Sequence, residues 1–118
     1  MREEYQIIEI DKSLLDNKMR ISRDAGCRLV QIHAVSLTGI TELTYSVATP
    51  DNRLTNYRVV LKDGEEIDSI TDIFPAAVLY ENEIKELFGV NINCIAIDYN
   101  RRFYDIAVEA PMKKEAEE

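Results

Sequence analysis

Two glutamates two residues apart, Glu81 and Glu83, one histidine, His33, and two cysteines, Cys27 and Cys94, are the side chains of this 118-residue chain that first invite a chemical reading. A pair of carboxylates serves as general acid and base when both converge on one substrate within hydrogen-bond reach. Glu81 and Glu83 fall in a stretch of helical spacing, where a step of two residues turns side chains about 160° apart around the axis. They point away from each other and form no dyad within the helix. Nothing in the spacing brings His33 to either glutamate. Cys27 and Cys94 are far apart and in no Cys-x-x-Cys arrangement, so neither a zinc ribbon nor a redox dithiol is signalled, and two buried thiols are expected. His33 lies in an apolar run with no second histidine, the setting of a packed or half-exposed strand residue rather than a metal ligand. Glycine-rich phosphate loops and nucleophile motifs are absent from the sequence. No catalytic, cofactor-binding or metal residue is therefore assigned, and no cofactor is expected in this chain.

The elements that would position these residues read as follows. Residues 5–10 are isoleucine-rich, consistent with a first strand. Asp11 then caps a helix over 12–25, with Leu14, Leu15, Met19, Ile21 and Ala25 at roughly helical spacing and Gly26 as the left-handed stop. Residues 28–37 are β-branched, without helical period, and end at Thr38-Gly39. From 42 to 49, apolar Leu43, Tyr45 and Val47 alternate with polar neighbours until Pro50-Asp51-Asn52. Tyr57, Val59 and Leu61 alternate with Arg58 and Lys62 up to Asp63-Gly64. Three strands joined by short turns predict an antiparallel meander, with one helix before and one after to cover a face. The fold class is α+β, a β-α-β-β-β-α sandwich with an extended C-terminal arm.

The second helix is predicted over 75–88, with Pro75 in its first turn and Gly89 just past its end. Ala77, Tyr80, Ile84, Leu87 and Phe88 share its core side, and Glu81 can pair with Lys85 four residues on. Val78 and Leu79 project toward the side of Asn82, Lys85 and Glu86, where a lone helix would be polar. Residues 92–97 and 103–108 read as short strands or extended arms around a polar Asp98 to Arg102 link. A single domain over 1–110 with a charged tail at 111–118 is expected.

Charge narrows the partners. A formal net charge of -8 repels phosphate backbones and anionic lipid, which argues against nucleic acid and against direct membrane binding. No apolar run reaches the roughly 18 residues that span a bilayer. Met1-Arg2-Glu3-Glu4 lacks the apolar core of a signal peptide, so a cytoplasmic location is expected.

With its order of strand, helix, three strands and a helix carrying Ala77, Glu81, Glu83 and Leu87-Phe88-Gly89-Val90, the chain resembles the 30-kilodalton subunit family of respiratory complex I. In that family the helix typically reads Ala-x-Trp-x-Glu-Arg-Glu-x-x-Asp-Leu-Phe-Gly-Ile. Here Leu79 stands in the tryptophan position, Asn82 in that of arginine and Glu86 in that of aspartate. The resemblance runs from Tyr5 to Val90 in outline and is specific over about fifteen residues. Beyond Gly89 the family's His-Pro-Asp-Leu-Arg-Arg stretch gives way to a different sequence, with only Arg101-Arg102 as an echo. The short length and the Glu-Asn-Glu variant are most similar to the small counterparts in membrane-bound, energy-converting nickel-iron hydrogenases.

That resemblance implies a non-catalytic clamp on the cytoplasmic face of the membrane. It would pack against an iron-sulfur subunit and a large hydrogenase-like subunit, which carry the iron-sulfur and nickel-iron centres. Val78, Leu79, Glu81, Glu83, Phe88, Gly89, Arg101 and Arg102 are the expected subunit-interface residues, with Glu81 and Glu83 also fixing the helix end. Two other classes stand against it: a free-standing enzyme using His33 with Glu81 or Glu83, and an isolated binding or regulatory domain that pairs as a homodimer through a strand edge or the Val78-Leu79 side.

Overall fold

The computed structural model describes residues 6–95. Strand β1 (Ile7–Glu9) leads through a 3-10 turn (Lys12–Leu14) into helix α1 (Leu15–Asp24). Strands β2 (Arg28–Leu37), β3 (Ile40–Ala48) and β4 (Leu54–Lys62) follow, then β5 (Glu66–Asp68), helix α2 (Ala77–Phe88) and β6 (Asn91–Asn93). The main sheet has the order β1-β4-β3-β2, antiparallel throughout the meander, with β1 added parallel to β4. The expected α+β class and antiparallel sheet are found, with both helices contributing to one core.

Alternation builds that core. Ile32 pairs with Tyr45 and Tyr45 with Tyr57, while Ala34 pairs with Leu43 and Leu43 with Val59, so one pleat face collects the apolar side chains. Leu15 and Met19 from α1 and Ala77 and Ile84 from α2 join the same cluster. The other pleat face carries His33, Thr44 and Arg58 in cross-strand register. It also holds a buried polar pair, in which the Ser46 hydroxyl donates to Asn56 Oδ1 at 2.6 Å. The Asn56 amide in turn donates to the Gln6 carbonyl at 3.0 Å, fastening the chain just ahead of β1.

Several boundaries differ from the sequence reading for identifiable reasons. The first strand is Ile7–Glu9 rather than 5–10, because Asp11 draws the chain into a turn by accepting from the Ser13 backbone N–H at 3.0 Å. Regular α-helix starts only at Leu15 after the 3-10 turn, and ends where Gly26 adopts φ +86°. A Cβ on Gly26 would lie 3.3 Å from Pro50 Cγ, a second reason for glycine there. Helix α2 begins at Ala77, not Pro75: the Ile73 and Phe74 N–H groups both bond the Ile70 carbonyl, so 70–76 is a run of turns that delivers Pro75 before the helix. Gly89 closes α2 in the left-handed region, as expected.

The sequence reading missed β5 entirely. It pairs in parallel with β6, Ile67 opposite Ile92, on either side of α2, making a small β-α-β unit beside the meander. Strand β6 spans Asn91–Asn93, shorter than the expected 92–97, and Cys94 follows it at φ +65°. The expected 103–108 strand, Arg101, Arg102 and the 111–118 tail lie outside the described residues. The two cysteines are not the buried pair expected: Cys27 is half-buried, and Cys94, just past the end of β6 at φ +65°, is exposed.

Candidate functional site

Helix α2 gathers most of the residues singled out by the sequence, and each takes its environment from its place around the axis. Ala77 and Ile84 face the core. Tyr80 lies on the shoulder toward β2, where its hydroxyl donates to the Val30 carbonyl at 2.9 Å. Val30 sits where the β2–β3 register shifts between Leu29 and Gln31, a bulge that leaves a carbonyl to be satisfied from outside the ladder.

Glu81 is fully buried, with 0% of its surface exposed. The expected surface ion pair with Lys85 gives way to internal bonds. Glu81 Oε1 accepts from the Ser69 hydroxyl at 2.5 Å, and Oε2 accepts from the Ile70 backbone N–H at 2.9 Å. The Ser69 hydroxyl also meets Thr71 Oγ1 at 2.7 Å and accepts from the Thr71 N–H at 3.0 Å. One carboxylate thus shapes the 69–71 turn, whose Ser69 N–H extends the strand pair by bonding the Asn93 carbonyl at 2.8 Å. Burial raises the Glu81 carboxyl to about 7, against the lowering effect of its Ser69 and Ile70 donors, and nearby Asp72 raises it further. The Tyr45 phenol, buried beneath it, is pushed well above its ordinary range by desolvation and then by the Glu81 charge.

Glu83 lies away from Glu81 around the helix and is half-buried, so the two carboxylates share no site. His33 is exposed on the sheet face opposite the core that α2 packs against, which separates it from both glutamates. The side carrying Val78, Asn82 and Glu86 is less polar in environment than the wheel alone implies. Asn82 and Glu86 are each 3% exposed, and the Asn82 amide donates to the Val78 carbonyl at 2.8 Å. Leu79 differs from them: 57% of its surface is exposed. Phe88 and Gly89 are half-buried at the helix end.

Among the described residues, no three His, Cys, Asp or Glu side chains are grouped to hold a metal ion, and no helix is long and apolar enough to cross a membrane. Sequence reasoning missed Ser69 and Thr71. The signal was a pair of hydroxyl residues flanking one isoleucine, which is indistinguishable from loop composition until the carboxylate twelve residues later is known to be buried over it.

Solved structures contain this fold elsewhere. A chain from "Structure of the membrane-bound sulfane sulfur reductase (MBS), an archaeal respiratory membrane complex" superposes with a TM-score of 0.74 at 21% identity, covering 95% of this chain and 68% of that one. At that identity the likeness establishes the fold alone. Among curated proteins none matches the sequence. The family model described as respiratory-chain NADH dehydrogenase, 30 Kd subunit, matches residues 8–117, nearly the whole chain. By that match, the chain belongs to the family of the 30 Kd subunit of respiratory-chain NADH dehydrogenase, a family of redox-complex subunits.

Proposed function

We propose that this chain is a non-catalytic structural subunit in the cytoplasmic arm of a membrane-bound redox complex, of the energy-converting nickel-iron hydrogenase or NADH dehydrogenase type. It packs there against an iron-sulfur subunit and a large hydrogenase-like subunit. The nickel-iron and iron-sulfur centres belong to those partners, and this chain reaches the membrane only through them.

The observation that carries the reading is the division of labour on α2. Its family-motif glutamate, Glu81, is used wholly inside the chain, while Leu79, in the family's tryptophan position, stands 57% exposed. A large apolar side chain held outward on a helix that is itself locked in place is an economical anchor for a partner subunit. Val78, Glu83 and Phe88 belong to the same helix and Gly89 caps it, and Arg101 and Arg102 remain proposed contacts. Glu81 contributes by fixing the helix that presents them.

The test is affinity isolation of the native complex in mild detergent, with identification of every co-purifying chain, for the wild type and for Leu79→Glu. Co-purification with a large subunit and an iron-sulfur subunit, lost in Leu79→Glu while the variant alone melts as the wild type does, is the expected result. Recovery of the wild type alone or as a homo-oligomer, with the partners expressed, would favour the isolated binding-domain reading.

A further inference from the structure

A buried carboxylate normally has a cation beside it. Among the described residues Glu81 has none: its hydrogen-bond partners are one hydroxyl and one backbone N–H. The titratable groups facing it are the Tyr45 phenol from β3 and Asp72 from the segment leading into α2. Arg20 of α1 is held by Asp72 at 2.9 Å and by Asp16 at 2.8 Å. On its own helix Glu83 and Glu86 project from other sides of the axis, and Lys85, one turn on and near the same side, is not among the hydrogen-bond partners of Glu81.

We propose that Glu81, Ser69 and Thr71 form a proton-linked seat for α2, which keeps the same heavy-atom contacts in both charge states and grips the helix more firmly when Glu81 is protonated.

The hydroxyl pair makes this workable. With Glu81 ionised, the Ser69 O–H donates to Oε1, and Ser69 Oγ accepts from the Thr71 O–H and the Thr71 N–H. When a proton from water joins Oε1, the carboxyl O–H donates to Ser69 Oγ, which keeps the Thr71 N–H and turns its own hydrogen to Thr71 Oγ1. Hydroxyl hydrogens are free to rotate this way. The heavy atoms keep their places, Oε2 keeps the Ile70 N–H, and the Ser69–Thr71 bond reverses its direction, the Thr71 O–H turning away from Ser69 Oγ. The two states then differ in the presence of a charge in the core, which is why burial favours the neutral one. Since β5, β6 and the start of α2 all hang on the 69–71 turn, the grip on α2 weakens as pH rises past neutrality.

The test is a carboxyl carbon NMR titration of Glu81 in the full chain, assigned through the backbone, in the wild type, Ser69→Ala and Asp72→Asn. Glu81 is expected to titrate near neutrality. Ser69→Ala, which removes a donor to the charged form, raises the midpoint, and Asp72→Asn, which removes a like charge, lowers it. A wild-type midpoint in the ordinary glutamate range, or one that neither substitution moves in these directions, overturns the proposal. As a second readout, α2 amide protection corrected for intrinsic exchange should fall between about pH 6 and about pH 8 in the wild type and stay level in Glu81→Gln. Equal falls in both would also overturn it.

Discussion

The Tyr80 hydroxyl donates to the Val30 carbonyl at 2.9 Å, joining α2 to the one place on β2 where the ladder with β3 slips. Strand β2 is one of the two outer strands of the sheet, and a bulge there turns a carbonyl away from its neighbour. The phenol satisfies that carbonyl. Helix position and strand register therefore hold each other in place.

Tyr80→Phe keeps the ring in position and removes the donor. The expected loss is about 1 kcal/mol, the usual net worth of such a bond. Urea unfolding should show a lower midpoint with an unchanged slope. A changed slope would indicate that the bulge itself had rearranged.

Stability should fall with pH across a window set by Glu81. Its carboxyl lies near 7 in the folded chain against 4.5 for the ordinary glutamate, so the folded state binds the proton more tightly than the unfolded state. The contribution is fully present below the unfolded value and is lost as pH rises through the folded one, by about 3 kcal/mol at most. Asp11 and Asp51, held low by hydroxyl donors, act in the opposite sense and at lower pH. The difference between wild type and Glu81→Gln, measured by chemical unfolding over the window, isolates the Glu81 part: the wild type gains on the variant as pH falls.

Leu43→Ala and Ile21→Ala form a paired control on where the core lies. Leu43 is completely buried at the centre of β3, and its truncation should cost about 2–5 kcal/mol. Ile21 is 59% exposed on α1 despite its place in the sequence pattern, so its truncation should stay within about 0.5 kcal/mol. Thermal unfolding separates the two outcomes.

Asn56→Ala removes the side-chain amide that, beside the Asn56 backbone N–H, holds the Gln6 carbonyl, and it removes the acceptor for Ser46. The expected effect is local as well as global: β1 pairs with β4 over three positions, and losing its fastening should expose residues 6–9 to limited proteolysis before the meander opens.

What the sequence reveals and what it conceals follow from the range of the forces involved. The alternation of Leu43, Tyr45 and Val47 marks β3 because half-burial acts residue by residue, and Gly26 and Gly89 mark helix ends because a positive φ is a local demand. The motif on α2 is legible in the same way. Strand β5 is not, and β6 is legible only as a short extended stretch: each has three residues, and they pair only because α2 carries the chain back alongside. Glu81 looks like a surface acid four residues ahead of a lysine, and nothing local says that Ser69 and Ile70 wait above it. Ile21 misleads in the opposite direction, apolar and at helical spacing yet outside the packed stripe. Cys94 follows neither rule: it lies just past a strand of three residues, outside the packed core.

The strand pair that brackets α2 has a further meaning. Helices of twelve residues are marginal by themselves in water, and they ordinarily begin to melt from a free end. Here the bonds between β5 and β6, extended by Ser69 to Asn93, close the chain into a ring with the helix inside it. Fraying at either terminus is limited while the ring stays closed, and opening it releases both ends together. Helix, strand pair and turn should accordingly gain and lose order as one cooperative unit, a short helix given the all-or-none character of a much longer one.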